Sequence, residues 1–298
     1  MKTHFKLKRS LGERIFDGCN VLLIIALVAV TIYPLLYTLF ASFSDARALL
    51  AHEGVLLMPL TPVTLQGYDL VFKNPNILRG FANTVMLVVA GTALGVLMTM
   101  LAAFVVTRKY FKPRSIMMKL IMVTMFFSGG MIPTYFVVRN LGLYNSFWAM
   151  VLPSAMGTYY LIILRTFFQG IPDSLEESAV LDGAGDLRVL FQIYMPLSTP
   201  ALAVITLHYA VNYWNEWYPA LLYIRDRSLY PLQMFLREVL IQNDTNRADS
   251  AVMRLSESYT RELVKYCTVV VSTVPILVVY PFLQKYFVKG MMIGAVKG

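Results

Sequence analysis

Ile171-Pro172-Asp173-Ser174-Leu175-Glu176-Glu177-Ser178-Ala179-Val180-Leu181-Asp182-Gly183-Ala184-Gly185-Asp186-Leu187-Arg188-Val189-Leu190-Phe191-Gln192-Ile193-Tyr194-Met195-Pro196-Leu197-Ser198-Thr199-Pro200 is a polar loop hung between two long apolar segments. Pro172 and Ser174 read as a helix start, and Ser174 with Glu177 has capping-box spacing. This first helix is expected to run to about Leu181, where Gly183 and Gly185 break it. Asp186 is expected to cap a second helix. Its apolar residues Leu187, Leu190, Phe191 and Tyr194 fall at helical spacing, and Pro196 ends it. Two short amphipathic helices at a bend either pack on their own bundle or form a plug for a socket on another protein.

The rest of the chain fixes the setting of that loop. Of 298 residues, 57% are hydrophobic and only 14% charged, against a usual charged share of roughly a quarter. Such apolar content calls for lipid as the main solvent. Nothing ionised lies between Asp17 and Asp45, Arg79 and Arg108, Lys119 and Arg139, Arg139 and Arg165, Arg188 and Glu216, or Lys265 and Lys285. The shortest windows hold 19 residues. At helical rise that is about 29 Å, the thickness of a bilayer core. The expected fold is therefore all-α and integral to the membrane, with six transmembrane helices. They are placed at about 19–43, 80–106, 118–138, 146–168, 197–222 and 264–288. Residues 1–18 and 289–298 lie outside this 19–288 domain, and the first apolar run reads as a retained helix because it exceeds a signal-peptide core.

Lys and Arg set the orientation. Lys2, Lys6, Lys8, Arg9 and Arg14 precede the first helix. Arg108, Lys109, Lys112, Arg114 and Lys119 fill the second connection, while the third has Arg139 alone. Both termini and the 171–200 loop are thus expected on the cytoplasmic side. The net charge of +9 follows from this bias and from attraction to anionic membrane lipid. Basic residues are not interleaved with exposed aromatics on a soluble face, so nucleic acid is not an expected partner.

Inside the spans, Gly91, Thr92, Gly95 and Thr99 put small residues on one side of helix two, which allows close helix contact. Gly129-Gly130-Pro133 and Pro153-Gly157 interrupt helices three and four. Such breaks either line a path or are packing kinks. Glu216, within Tyr213-Trp214-Asn215-Glu216-Trp217, is an acid in an apolar span and needs a cavity or a partner. The surrounding aromatics form either an interfacial belt or platforms for sugar rings. His208 is expected to hydrogen-bond a neighbouring helix. An outer segment, Pro231 to Gln242, carries Leu232, Phe235, Leu236, Val239 and Leu240 as an amphipathic stripe. No Cys/His metal spacing and no phosphate-cradling glycine loop occur, so no catalytic residue, metal or cofactor is assigned to this chain.

Glu177-Ser178-Ala179, Asp182-Gly183-Ala184, Phe191, Pro196-Leu197 and Pro200 closely resemble the EAA loop of ABC-importer membrane subunits, with one small-for-small departure at Ser178. Phe81-Ala82-Asn83-Thr84, Trp214-Asn215-Glu216 and the tail Lys289 to Gly298 resemble the MalG-type half of carbohydrate importers. Phe126 to Thr134 and the tail look closest to the LplC-like branch, associated with complex, often acidic oligosaccharides such as pectic or alginate fragments. The resemblance implies a multi-pass permease of the bacterial cytoplasmic (inner) membrane. It implies a heterodimer with a second permease, two ATPase subunits that bind the ATP and Mg, and an extracytoplasmic solute-binding protein. Glu176, Glu177, Ser178, Ala179, Asp182, Gly183, Ala184, Leu187, Phe191 and Pro196 would then form the ATPase-coupling loop. Tyr213, Trp214, Asn215 and Glu216 are candidates for the substrate pathway. Met292, Gly294 and Lys297 would contact the ATPase, unless the tail simply frays.

Two rivals remain in view. One is an importer of the same class for another solute. The other is an ion-coupled carrier, which would need several intramembrane acids, whereas Glu216 is the single acid within an expected helix.

Overall fold

The computed structural model describes residues 10–245, 261–278 and 281, and these are helical with no strand among them. They fall into two compact units, one holding the chain to Val71 with 261–270, the other Phe72–Thr245 with 271–278.

In the first unit, α1 (Leu11–Ser42) starts at a capping box in which Ser10 and Glu13 exchange hydrogen bonds of 2.8 and 3.2 Å. Its apolar residues are exposed along most of its length, as they must be for a helix solvated by lipid or by another subunit. α2 (Ala46–Ala51) and α3 (Gln66–Lys73) follow. Ala41, Leu49 and Leu56 make a small core with Tyr37 and Tyr266. Cys19 and Cys267 are both free thiols.

The second unit is built on α4 (Pro75–Thr107), capped by Asn74 with Pro75 in its first turn. Next come α5 (Arg114–Phe126), α6 (Met131–Asn140), α7 (Trp148–Val151) and α8 (Thr158–Gln169). The loop region holds α9 (Asp173–Leu181), α10 (Asp186–Val189) and α11 (Met195–Leu197). α12 (Thr199–Trp214), α13 (Tyr218–Tyr223), α14 (Leu232–Thr245) and α15 (261–278) complete the described chain.

Small residues on α4 admit aromatic ones from α12. A Cβ on Gly91 would stand 2.5 Å from the Tyr213 ring, and one on Gly95 would stand 2.9 Å from Tyr209. Thr99 and Tyr209 then share a 2.7 Å hydrogen bond. At the other end of α4, Gly80 meets Phe235 of α14, and the Leu232 N–H donates to Thr84 Oγ1 at 2.8 Å. The amide of Asn83 donates to the carbonyls of Ser228 and Tyr230 at 2.7 and 3.0 Å. The amphipathic segment expected at 231–242 is therefore a helix pinned to α4 by its buried residues Leu232, Met234 and Phe235.

Two helices among the described residues, α1 and α4, are long and apolar enough to cross a membrane unaided, and three bent pairs pass the same test together. The spans expected at 118–138, 146–168 and 197–222 are not continuous helices. α5 and α6 meet at 117°, where Gly130 has φ +86°. The stretch 148–154 meets α8 at 50° across the break prepared by Pro153 and Gly157. The fifth stops at Trp214 and resumes at Tyr218, with Pro219 in the first turn of α13. The sixth, at 264–288, runs out of the described residues, as does the tail with Met292, Gly294 and Lys297.

Filling the α4–α12 contact should destabilise the chain. Gly91→Ala is expected to cost about 1–3 kcal/mol through overpacking and to lower the melting temperature of the detergent-solubilised protein. Gly18→Ala on α1, where no atom lies within 4 Å, should leave that temperature unchanged or slightly raised.

Candidate functional site

The 171–200 loop folds into two helical pieces around a tight corner. α9 ends in a Schellman turn: the Gly183 N–H donates to Val180 O at 3.0 Å and the Ala184 N–H to Ala179 O at 2.9 Å. That geometry requires a left-handed residue after the cap, and Gly183 has φ +79°. Ala179 and Ala184, the partners of the bond that spans more residues, are half-buried against the core. The spacing Ala179, Asp182-Gly183-Ala184 is thus the spacing of one helix terminator.

Three details differ from expectation. Ser174 lies inside α9 and its capping box with Glu177 does not form; Pro172 precedes the helix without a side-chain cap. Asp186 does not cap α10, which Gly185 precedes. The stripe of Leu187, Leu190, Phe191 and Tyr194 is split: Leu190 and Tyr194 are buried while Leu187 and Phe191 are exposed. A π-helical turn over Leu190–Tyr194 changes the rotation per residue there, so the α-helical period fails. Exposed Leu181, Leu187 and Phe191 leave an apolar face on the loop, and Pro196 sits in α11, one residue before its end.

Arg108, which immediately follows α4, ties the loop down. Only 4% exposed, it forms ion pairs with Glu176 and with Asp186, the latter at 3.3 Å. Its guanidinium carbon lies 3.8 Å above the Phe104 ring. Glu176 also accepts 2.6 Å from the Tyr194 hydroxyl, and the Tyr194 ring meets Phe104 and Phe168 edge-on at 5.2 Å. Beside this cluster Lys109 pairs with Asp173, both in solvent, and Tyr110 donates to Asp186 at 3.0 Å. Burial, then the bond to Asp186, raises the Tyr110 pKa, which keeps the hydroxyl a donor. The carboxylates expected to face a partner thus divide. Glu176 turns inward to Arg108, while Glu177 and Asp182 remain on the surface with Ser178.

A second polar region lies at the break between α7 and α8. A cavity of about 380 Å³ is lined by Gly157 and Tyr160 on one side and by Tyr209, Asn212, Tyr213, Asn215 and Glu216 on the other. The freed Gly157 N–H donates to the Tyr209 hydroxyl at 2.8 Å, and Tyr213 donates to Val151 O at 3.2 Å. Asn212 donates to the Tyr160 hydroxyl at 2.9 Å, and Tyr160 stacks on His208 with centroids 5.7 Å apart. The backbone groups released by the helix break therefore face tyrosines, as apolar surroundings require. Asn215 returns its amide to Val211 O at 2.8 Å.

Trp214 stands outside this cavity lining. Its ring packs on Phe81 with centroids 5.8 Å apart, and its indole N–H donates to Ser272 O at 3.0 Å. Residues adjacent in a helix point about 100° apart, so Tyr213-Trp214-Asn215-Glu216 cannot share one face. Tyr209, Asn212 and Tyr213 can, at i, i+3 and i+4, while Asn215 and Glu216 line the cavity from just beyond the end of α12. That periodicity was the signal for Tyr209 and Asn212, while Arg108 and Tyr160 carried none. Among the described residues no group of three or more His, Cys, Asp or Glu could hold a metal.

No family model matches the chain. Protein LplC of Bacillus subtilis is 42% identical over 285 residues, covering 96% of each sequence. The polygalacturonan/rhamnogalacturonan transport system permease protein YtcP of the same organism is 39% identical over 286 residues, 96% of this chain and 99% of its own. This chain belongs to the permease family of carbohydrate ABC importers, in the LplC-like branch. The fold agrees: a crystal structure of a bacterial ABC transporter involved in the import of the acidic polysaccharide alginate contains a chain with TM-score 0.86 and 29% identity, covering 95% of this chain and all of that one.

The Arg108 cluster makes a quantitative prediction for this permease. Arg108→Met leaves Glu176 without its cation and should destabilise by roughly 3 kcal/mol, the low end for a buried pair because Glu176 keeps some solvent. Arg108→Met with Glu176→Gln should recover a large part of that loss. Thermal denaturation of the two variants and wild type measures the difference.

Proposed function

We propose that this permease forms one half of the translocation pathway of an ATP-driven importer for an acidic oligosaccharide, and that its 171–200 loop is the coupling element. The single observation carrying the coupling role is a rigid surface corner. A Schellman turn and a buried arginine hold Leu181, Leu187 and Phe191 exposed on a loop that its own core leaves uncovered. An apolar face fixed in position suits a socket on another subunit.

The proposed topology has six crossings with both termini cytoplasmic. The charge-free windows and the basic second connection support it. The third crossing, formed by α5 and α6, is the most sharply bent of the helix pairs among the described residues. A second permease of similar size would complete the pathway, since one such chain leaves most of α1 uncovered. An extracytoplasmic binding protein would deliver the cargo. Two ATPase subunits would bind ATP and Mg, so this chain has no catalytic role and no cofactor of its own. ATP-driven closure of the ATPases would then move the loop and switch the pathway between inward- and outward-open states.

For the cargo, the support is the polygalacturonan/rhamnogalacturonan system to which YtcP belongs and the alginate transporter described above. The cavity at Gly157 offers tyrosine rings and amides to hydroxyl-bearing rings. Tyr213 is nearly fully buried, so Tyr160, Asn212 and Asn215 are its more accessible groups. Glu216 would oppose an acidic cargo unless a basic group of the partner permease neutralises it, and a cross-subunit pair is its proposed role.

Corner and cavity can be tested separately in the assembled importer. Gly183→Pro removes the N–H to Val180 and cannot adopt positive φ, so sugar-stimulated ATPase activity and uptake should both fall by about tenfold or more. Gly183→Asn, which tolerates the left-handed region, should retain most activity. Wild-type coupling in Gly183→Pro would remove the loop from this role. Asn212→Ala should lower uptake of labelled oligogalacturonate with the complex intact, and unchanged uptake would remove the cavity from the pathway.

A further inference from the structure

A cleft of about 930 Å³ opens where α4 and α8 end and α5 begins. Its lining is chemically divided. Met118, Met122 and Ile162 form an apolar wall, while the rest holds five cations, Arg108, Lys109, Arg114, Lys119 and Arg165, and three carboxylates, Asp173, Glu176 and Glu177. Two of these are already paired, Arg108 with Glu176 and Asp186, and Lys109 with Asp173. The other three have no carboxylate at ion-pair distance among the described residues. Arg114 reaches only the Thr107 carbonyl, at 3.5 Å. The Nε of Arg165 is shut from solvent with no hydrogen-bond partner among the described residues.

Five cations against three carboxylates leave the cleft with an excess of positive charge, and Arg114, Lys119 and Arg165 carry that excess. A bound anion would relieve that excess. A free phosphate would use the cations and leave the apolar wall idle. The wall also continues onto the exposed side of α5, where Ile116, Leu120 and Val123 face outward. The ligand that matches both halves carries a phosphodiester at one end and hydrocarbon at the other. We infer that this cleft is a binding site for an anionic phospholipid. Its phosphate is held by Arg114, Lys119 and Arg165, and its acyl chain runs along Met118, Met122 and Ile162. The site requires only that α5 and α8 lie in a bilayer and is independent of the cargo, although the start of the 171–200 loop borders it through Asp173, Glu176 and Glu177.

The test uses the complete importer in nanodiscs of phosphatidylcholine containing a minority of phosphatidylglycerol, with retained lipid counted by native mass spectrometry. Wild type should retain phosphatidylglycerol in preference to phosphatidylcholine. Lys119→Glu, at an exposed position that leaves the packing untouched, should reduce that retention at least about fivefold, the effect of roughly 1 kcal/mol per basic contact. Lys119→Gln with Arg165→Gln should reduce it further. Lys112→Gln, which removes the same charge from the same connection outside the cleft, should change nothing. Equal retention by Lys119→Glu and wild type overturns the inference. So does displacement of the lipid by millimolar inorganic phosphate, which would make the site one for a free anion. Loss of an ATPase or of the second permease from the Lys119→Glu complex, with lipid retention unchanged, would instead make the cleft a protein interface. If the double variant fails to assemble, Lys119→Glu alone decides.

Discussion

A guanidinium 4% exposed to solvent, that of Arg108, carries a desolvation cost that nothing apolar can offset. It is tolerated because Glu176 and Asp186 come to it from two different pieces of the loop, while Phe104 and Tyr194 cover its faces. The pairing is directional. It fixes α9 and α10 against the end of α4 in one pose, whereas hydrophobic contact alone would let short helices slide. Lys109 and Asp173, in solvent, add little to stability and can only refine that pose.

α4 is the spine from which the rest of the second unit hangs. One end holds the loop through Arg108. Its middle accepts Tyr209 and Tyr213 into the space left by Gly95 and Gly91. Its start holds the 228–232 stretch at the head of α14 through Asn83 and Thr84, and α12 through Phe81 on Trp214. Short motifs far apart in the chain thus belong together physically. Phe81 of Phe81-Ala82-Asn83-Thr84 and Trp214 of Trp214-Asn215-Glu216 meet ring to ring.

Much of this was legible in the sequence because it rests on local rules. Charge-free windows marked α1 and α4, small residues on one side of α4 marked the tyrosine contact, and Gly183 marked the corner. The misses share a cause, which is that periodicity is read along one ideal helix. The π turn over Leu190–Tyr194 breaks the period and divides the expected stripe. A contiguous motif drew attention to Trp214, although the cavity face of α12 runs through Tyr209 and Asn212. Arg108 looked like one of several basic residues at a membrane surface. Its partners lie 68 and 78 positions away, a distance no local pattern spans. Nor could the sharpness of the turn between α5 and α6 be foreseen, since glycine permits a bend without setting its angle.

The segment 186–197 meets α12 at 88°, with Ser198 buried at the corner. In mechanical terms this is a bell crank. A sideways push on the short arm emerges as a tilt of the long one, with no slack if the corner is stiff. α12 has 16 residues, so its arm is about 24 Å long. A rotation of about 5° at Ser198 would carry the far end, with Tyr213 and Glu216, sideways by about 2 Å. That is enough to reset hydrogen bonds of 2.8 to 3.2 Å such as those linking Gly157 to Tyr209 and Tyr213 to Val151. With the loop as the proposed coupling element, the right angle would act as a transmission whose gear ratio is set by the length of α12.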